Sequence, residues 1–164
     1  MYLKQLSKIL FITLFFAQPC FAQSSDCNFM EAWKDLRSVL QRRADIVPNL
    51  AITLSNSKHV DQKELKRAKG IATYLYQILD TLHIPDSASL FLTSQLEIEL
   101  TEALTRTLVT LERDRNLKNT SVIRELLTSL EEVEHRFERA KLNYNNACTK
   151  AHRADLLFKT SVKY

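Results

Sequence analysis

The stretch from residue 123 to residue 158 constrains the fold most, because it carries an unbroken heptad pattern. Its apolar and aromatic residues follow one another at alternating steps of three and four: Ile123, Leu126, Leu130, Val133, Phe137, Ala140, Tyr144, Ala147, Ala151, Ala154 and Phe158. This spacing predicts one helix of about 37 residues with a continuous apolar edge. A single helix cannot bury its own edge, so the rest of the chain must supply helices that cover it.

Two earlier segments show the helical periodicity that such covering helices need. Residues 28–58 carry an apolar stripe that keeps its phase on both sides of Pro48. This predicts a bent but continuous helix, with a break at Pro48 as the alternative. A second helix is predicted to begin at Asp61, because Glu64 follows three residues later as in a capping box, and to end in a turn before Pro85.

A third helix is predicted over residues 87–113. The segment from Gln95 to Leu100 alternates apolar and polar residues as a strand does, but the leucines that begin at Leu92 keep helical spacing throughout. The connections between the segments are short, so consecutive helices are expected to run antiparallel. The sequence therefore predicts an all-α fold, an antiparallel up-down four-helix bundle with long first and last helices.

The first 22 residues have the pattern of a secretory signal peptide. Lys4 and Lys8 precede an apolar run over residues 9–17, and a cleavage-like triplet ends at Ala22. The run is shorter than the roughly 20 residues that a membrane span needs. We expect a signal-peptide helix that is removed after Ala22, with an uncleaved membrane anchor or a lipid on Cys20 as the alternatives. The predicted organisation is a signal peptide, a spacer, a helical bundle and a tail: residues 1–22, 23–27, 28–158 and 159–164.

Composition and motifs argue against several classes of function. The formal net charge is +4, and basic residues alternate with acidic ones along the helices, so the basic stripe of a nucleic-acid-binding protein is missing. A lone Gly70 cannot build a phosphate-binding loop. The nucleophile elbow, the His-Glu-x-x-His pair and the Cys-x-x-Cys-His haem site are absent from the sequence. We therefore expect no enzyme, no cofactor and no nucleic-acid partner.

Cys27 and Cys148 would both remain after removal of the signal peptide. In an antiparallel arrangement the start of the first helix lies beside the end of the last, so the two thiols can meet in an oxidising compartment. A disulfide between them would close a loop of about 120 residues, which the chain-entropy model values at about 5 kcal/mol. Two buried thiols are the alternative. Cys148 and His152 also have the spacing of two metal ligands, but a zinc site needs three or four.

If that disulfide sets the register, the numbers of facing residues on the first and last helices sum to about 175. Arg42 and Arg43 then face the acidic segment 131–134, and Asp35 lies near Lys141. The predicted interhelical polar cluster consists of Asp35, Arg42, Arg43, Asp45, Glu131, Glu134, Lys141 and Asn145. Its structural interpretation is a set of salt bridges that fix the register. A polar surface for a partner is the functional alternative.

The same register predicts the surroundings of the aromatic residues. Phe29 and Trp33 are expected to pack on the small residues near Ala147 and Ala151, as parts of the core. The apolar residues 156–158 extend past the start of the first helix. They are expected to contact a partner or a membrane, or else to fold back or fray.

Two blocks of the sequence, one in the first helix and one in the last, carry a recognisable set of residues: Trp33, Arg43, Asp45, Pro48, Asn49, Leu50, Tyr144 and Asn145. On these residues the chain resembles the LemA family of bacterial cell-envelope proteins. A weaker match lies between the two blocks at residues 112–119. The chain departs from the family pattern at its N-terminus, where an anchor is usual, and at Ala151 and His152, where a second Tyr-Asn pair is usual.

The resemblance implies an antiparallel helical bundle in the cell envelope, and it supplies no catalytic residues to carry over. We therefore expect a non-enzymatic, exported protein that is periplasmic or associated with the membrane, peripherally or through an anchor. It would present a long helical face to envelope protein partners whose identity the sequence does not reveal. A periplasmic helical chaperone and a ligand- or metal-binding bundle are the alternatives.

Overall fold

Residues 21–159 are described by the computed structural model, with side chains from residue 28 onward. This part of the chain contains five α-helices, one 3-10 turn and no strand. The helices are α1 (Phe21–Leu54), α2 (Gln62–Thr81), α3 (Ser87–Leu111), α4 (Arg115–Lys118) and α5 (Ser121–Lys150), and the 3-10 turn is Ala154–Leu156. The predicted all-α class is confirmed, and the segment from Gln95 to Leu100 is helical.

The start of α1 differs from the prediction. The helix begins at Phe21, so residues 23–27, predicted to be a spacer, are helical. No proline or glycine follows Pro19 in this segment, and nothing in it therefore stops a helix. The predicted signal peptide falls almost wholly on residues 1–20, which lie outside the described part. Between residues 21 and 159, no helix combines the length and the apolar character needed to cross a membrane.

α1 continues through Pro48, so the predicted continuous helix is confirmed and a break at Pro48 is not observed. The helix ends at Leu54, four residues before the predicted end at Lys58. A backbone turn follows the last residue of the helix: the amide of Ser55 donates a hydrogen bond to the carbonyl of Ile52 at 3.3 Å.

Asp61 caps α2 as predicted, but the capping box is only half formed. The Asp61 carboxylate accepts hydrogen bonds from the amides of Lys63 and Glu64, at 2.9 and 3.1 Å. The Glu64 carboxylate does not return the bond and pairs instead with Arg67 at 3.3 Å. The Asp61 amide donates to the Thr110 hydroxyl at 3.0 Å, which joins the start of α2 to the end of α3.

Long helices that are packed against each other run antiparallel. α1 packs against α2 and α5, and α2 packs against α3. The Arg37 side chain of α1 donates to the carbonyl of Leu79, near the end of α2, at 2.6 Å. Arg67, in the first half of α2, pairs with Glu102, in the second half of α3, at 3.5 Å, as antiparallel neighbours do. The short helix α4 fills the connection between α3 and α5.

α1 and α5 adopt the predicted register. The ring of Trp33 lies 5.6 Å from that of Tyr144, and Arg43 pairs with Glu134, so that both pairs of numbers sum to 177. The sum predicted for facing residues is about 175. α1 therefore covers the apolar edge of α5, although the two helices lie near opposite ends of the sequence.

The end of α5 corrects the prediction of one helix over residues 123–158. α5 stops at Lys150, and His152 adopts a left-handed conformation with φ 56°. The amides of Arg153 and His152 donate to the carbonyls of Cys148 and Thr149, at 2.9 and 3.2 Å. This is a Schellman motif with histidine in the position that usually holds glycine.

Beyond the motif, the chain folds back over α5. In a continued helix, Phe158 would lie about 21 Å past Tyr144, beyond the aromatic residues of α1 that cover the edge. Folded back, the Phe158 ring is buried and meets Phe137 edge-to-face, with 6.1 Å between the ring centroids. Burial of this ring and of Leu156 favours the reversal, and the heptad pattern does not report it.

α3 buries most of the predicted leucine stripe. Leu96, Leu100, Leu104 and Leu111 are buried, whereas Leu92, at the start of the stripe, is 39% exposed. The buried face is wider than the stripe and also contains polar side chains: Thr93, Ser94, Glu97 and Thr107. It is more polar than predicted, and it turns a glutamate toward the centre of the molecule.

Candidate functional site

A buried ion cluster, consisting of Arg43, Glu97, Thr101 and Glu134, joins α1, α3 and α5. The Arg43 side chain is 1% exposed and lies among the apolar residues of α1. Its guanidinium contacts the carboxylate of Glu97, pairs with that of Glu134 at 2.6 Å and donates to the Thr101 hydroxyl at 3.1 Å. Arginine suits this position because its fork of N–H donors can serve several acceptors at once.

The Arg43 guanidinium also stacks on an aromatic face. Its central carbon lies 5.9 Å from the centroid of the Phe137 ring, the same ring that meets Phe158. A cation over a ring is attracted to the ring face, more strongly when water is excluded. The buried ion cluster is thereby linked to the folded-back end of the chain through one phenylalanine.

Glu97 holds its proton unusually tightly. Burial disfavours the carboxylate more than the charge of Arg43 favours it, and Glu134 adds repulsion, so the pKa of Glu97 is raised to about 7. Among residues 28–159, its second oxygen, Oε2, has no hydrogen-bond partner. One cation thus faces two carboxylates, of which Glu134 reaches solvent and Glu97 does not.

Only Arg43 and Glu134 of the predicted polar cluster meet across helices. Arg42 pairs with Asp45 on the same helix at 3.4 Å, and both side chains are 59% exposed. Lys141 pairs with Glu138, also on its own helix, at 2.7 Å. Asp35 and Glu131 are exposed, and in the described part of the chain neither takes part in an ion pair. Asn145 instead forms hydrogen bonds with the backbone of Phe158.

Sequence reasoning missed Glu97 and Thr101. Glu97 belongs to the inward series of α3, but a prediction built on leucines alone passes over it. The signal was present, since Thr93, Glu97 and Leu100 keep the alternating steps of four and three. Thr101 carries no comparable signal.

A cluster of aromatic rings lies between the first half of α1 and the last third of α5. The rings of Phe29 and Trp33 both lie 5.6 Å from the ring of Tyr144. Tyr144, one turn before Ala147, is the aromatic partner of both rings, and their predicted packing on Ala147 and Ala151 stays a prediction. Burial, reinforced by the neighbouring Cys148 thiol, raises the pKa of Tyr144, which keeps its hydroxyl neutral.

Cys148 is a buried free thiol in the described part of the chain. Its sulfur donates to the carbonyl of Leu156 at 3.5 Å, and burial raises its pKa, so thiolate chemistry is disfavoured. The side chain of Cys27 lies outside the described part, and the Cys27–Cys148 disulfide stays a prediction. His152 does not follow Cys148 on one helical face, because α5 has already ended. No cluster of three potential metal-binding His, Cys, Asp or Glu side chains forms among the residues described.

The last described residues, 154–159, form a tail strap that closes over α3 and α5. The Asn145 side chain holds the tail strap through the backbone of Phe158. Its amide nitrogen donates to the Phe158 carbonyl at 3.1 Å, and its amide oxygen accepts from the Phe158 N–H at 2.8 Å. On the other side, the Ser87 hydroxyl of α3 donates to the carbonyl of Asp155 at 3.0 Å. Of the outcomes predicted for residues 156–158, folding back is the one observed.

A cavity of about 350 Å³ lies between the tail strap and the start of α3. Its lining is mixed, with a ring, aliphatic side chains, hydroxyls and both signs of charge: Ser87, Leu90, Phe91, Ser94, Gln95, Asp155, Leu157 and Lys159. The Phe91 ring, which lines this cavity, is 66% exposed. Lys159, the last described residue, lines it too, so the cavity is an opening in the described part of the chain.

The residues that carry the family resemblance are mostly interior. Trp33, Arg43, Leu50 and Tyr144 are all almost completely buried, and Asn145 binds the tail strap. The remaining members of the pattern lie nearer the surface: Pro48 is partly buried, and Asp45 and Asn49 are exposed.

These features define an all-α protein in which long antiparallel helices are tied together by a buried ion cluster and closed by a clamped tail. The LemA family model matches residues 32–161, about four fifths of the chain. The protein therefore belongs to the LemA family, and the resemblance predicted from the sequence is confirmed. A comparison with curated proteins finds no match to the chain.

Proposed function

We propose that the protein is a non-enzymatic helical scaffold of the cell envelope that binds another envelope protein through its helical surface. In this proposal α1, α2, α3 and α5 act as one antiparallel up-down four-helix bundle. The chain is exported and works in the periplasm or at the membrane. Membership of the LemA family and the signal-like pattern of residues 1–22 support this assignment.

One observation carries the proposal: the family-like residues serve packing. Trp33 and Tyr144 hold α1 to α5 through their rings, and Arg43 holds α1 to α3 and α5 through its charge. A catalytic group has to touch its substrate, whereas Arg43 and Glu97 are each 1% exposed. The arrangement supports a rigid body that presents surfaces rather than a reaction centre.

Site-specific photo-crosslinking in the producing bacterium tests the proposal. A photoreactive amino acid would replace one exposed apolar residue on each of three helices: Ile52, Val109 and Leu142. Leu36, which is fully buried, provides the matched control position. We expect at least one exposed position to yield the same envelope protein reproducibly, while the Leu36 position yields none.

Other outcomes would overturn the proposal. Exposed positions that capture nothing reproducible would exclude a scaffold with a defined partner. Capture of many unrelated unfolded proteins would favour the chaperone alternative. A small molecule or metal that stays bound in native mass spectrometry would favour the ligand-binding alternative.

A further inference from the structure

We propose that the buried ion cluster is a proton-operated switch. One proton on Glu97 decides which carboxylate pairs with Arg43. With the proton in place, Arg43 pairs with Glu134; without it, Arg43 pairs with Glu97, and Glu134 turns outward to solvent. The switch is a property of the fold, and it goes beyond the proposed function without resting on it.

Each arm of the Arg43 guanidinium has an acceptor of its own. Nε donates to the Glu134 carboxylate at 2.6 Å, Nη1 donates to the Glu97 carboxylate, and Nη2 donates to the Thr101 hydroxyl at 3.1 Å. Glu97 and Thr101 lie on α3, whereas Glu134 lies on α5. The choice of carboxylate therefore decides which helix α1 is tied to by charge.

The cluster carries one negative charge in excess when both carboxylates are ionised. Arg43 supplies a single positive charge, and both Arg43 and Glu97 are almost completely buried, so water does not screen the excess. One bound proton makes the cluster neutral. Burial assigns this proton to Glu97, because the Glu134 side chain is 39% exposed and its charge is partly hydrated.

The second oxygen of Glu97 marks the place of the proton. Arg43 contacts Oε1, whereas Oε2 is buried and has no hydrogen-bond partner in the described part of the chain. A buried oxygen without a donor costs more when it carries charge than when it is neutral. The pKa of Glu97, raised by burial to about 7, agrees with this geometry and puts the exchange of the proton near neutral pH.

The other elements around Glu97 add little charge. Lys141 of α5 favours the ionised form, but more weakly than Arg43 does. On α2, the register of the ion pairs with α3 places the apolar Ala72 at the level of Glu97. The charged residues of the tail strap line the cavity at the start of α3: Asp155 and Lys159. Besides burial, the charges of Arg43 and Glu134 therefore govern the proton.

Loss of the proton makes the two carboxylates compete for one guanidinium. Ionised Glu97 repels Glu134, and only Glu134 already reaches solvent. Glu134 is therefore the group that leaves, and Arg43 and Glu97 remain as a buried pair without excess charge. Residues 131, 134 and 138 share one face of α5 through steps of three and four. Above neutral pH, Glu134 thus joins two exposed carboxylates: Glu131 and Glu138.

The Nε–H of Arg43 tests the switch directly, because its acceptor is Glu134. NMR measures its exchange with water in wild type and in Glu97→Gln, where no proton can be lost. At each pH the ratio of the two rates removes the intrinsic pH dependence of the exchange. We expect this ratio to rise about 10-fold between pH 6 and pH 8, because the ionised fraction of Glu97 rises by that factor across its pKa of about 7.

Glu99→Gln is the matched control. It removes an exposed carboxylate from the same helix, outside the buried ion cluster, and its Arg43 Nε–H should follow that of wild type at every pH. A ratio of wild type to Glu97→Gln that stays constant, or falls as pH rises, would overturn the inference, because Arg43 would then keep Glu134 in both protonation states.

A second measurement does not depend on the folding of Glu97→Gln. In wild type, the carboxyl ¹³C signal of Glu134 should show a second inflection at the pH where that of Glu97 titrates, because Glu134 changes partner there. In Glu134→Gln, one cation serves one carboxylate, so Glu97 should titrate at a lower pH. A Glu134 signal without that inflection, or a Glu97 titration that Glu134→Gln leaves unchanged, would contradict the shared use of Arg43.

Discussion

Arg43 satisfies three polar groups from a position on the apolar stripe of α1. Such a cluster is weak evidence for stability, because desolvation of the charges offsets much of their attraction. Removing one member is a different matter, since it leaves the opposite charge buried without a partner. We therefore interpret the buried ion cluster as the device that fixes how α1, α3 and α5 are aligned.

Replacement of Arg43 tests this interpretation. Arg43→Met should lower the free energy of unfolding by about 3–5 kcal/mol at pH 8, because the Glu97 carboxylate stays buried without its cation. The loss should be smaller at pH 5, where Glu97 binds a proton. Arg42→Met, which removes only an exposed pair, should change stability by less than about 0.5 kcal/mol. Urea denaturation measures both, and equal effects of the two substitutions would contradict the role of Arg43.

The pKa of Glu97 predicts a pH dependence whose sign differs from that of an ordinary salt-bridged glutamate. Its pKa is about 7 in the folded chain against 4.5 for an unperturbed glutamate, so between these values the folded state binds the extra proton. The contribution is complete below pH 4.5 and is lost as pH rises to about 7, on the order of 3 kcal/mol in all. Glu97→Gln should lack this fall, as urea denaturation at pH 5 and pH 8 would show. Parallel pH profiles for the two proteins would refute it.

At this scale, only the pair that follows from register could be predicted. Arg43 and Glu134 follow from antiparallel pairing of the first and last helices. Glu97 lies on a third helix, where a prediction from leucines alone marks only part of the buried face. Arg42 and Arg43 are adjacent in the sequence, and the approximate register does not determine which of the two side chains points into the core.

At the scale of elements, α5 illustrates a conflict between local pattern and tertiary burial. The heptad pattern continues to Phe158, but the chain folds back, and in this arrangement Leu156 and Phe158 are almost completely buried. The turn is made at His152 without a glycine. The helix end therefore carries a conformational cost that the burial of the tail strap offsets.

Relief of that cost should be measurable. His152→Gly should raise the free energy of unfolding by about 1 kcal/mol, because glycine adopts a positive φ without steric penalty. The same substitution at His135, an exposed position inside α5, should lower it by about 0.5 kcal/mol through lost helix propensity. Thermal unfolding followed by circular dichroism distinguishes them. A destabilised His152→Gly would show that the imidazole stabilises the turn by itself.

Gly70 offers a simpler test within α2. It is exposed in the interior of the helix, and an added Cβ would meet nothing within 4 Å. Gly70→Ala should therefore stabilise the protein by about 1 kcal/mol. Lys69→Ala, at the adjacent exposed position, should change stability by less than about 0.5 kcal/mol. A loss of stability in Gly70→Ala would point to a surface that needs close approach at this residue.

At the scale of the whole molecule, the predicted Cys27–Cys148 disulfide would join the start of the first long helix to the end of the last. Reduction of the oxidised protein should lower its free energy of unfolding by an amount approaching 5 kcal/mol in the chain-entropy model. Cys27→Ser, which leaves the buried Cys148 in place, should be insensitive to reductant. Denaturant titrations with and without dithiothreitol provide the measurement. Wild type that behaves like Cys27→Ser would establish two thiols.

The order and direction of the four long helices could be predicted because they depend on periodicity, on Asp61 as a cap, and on short connections. The short helix α4 in the last connection was not predicted. Helix ends were less predictable. The polarity of residues 23–27 predicts a spacer, but polarity alone does not stop a helix. The tail strap depends on two side chains far apart in sequence, Asn145 and Ser87, whose convergence no local pattern encodes.

The pairing of α1 with α5 also sets the order of events when this chain folds. Phe29 and Tyr144 are neighbours in space yet stand near opposite ends of the sequence. Until α5 has formed and docked, the side of α1 that it covers in the completed fold faces water. Closure over so long a loop is slow compared with the formation of the individual helices. The apolar surface of α1 is therefore the last large part of the core to be covered.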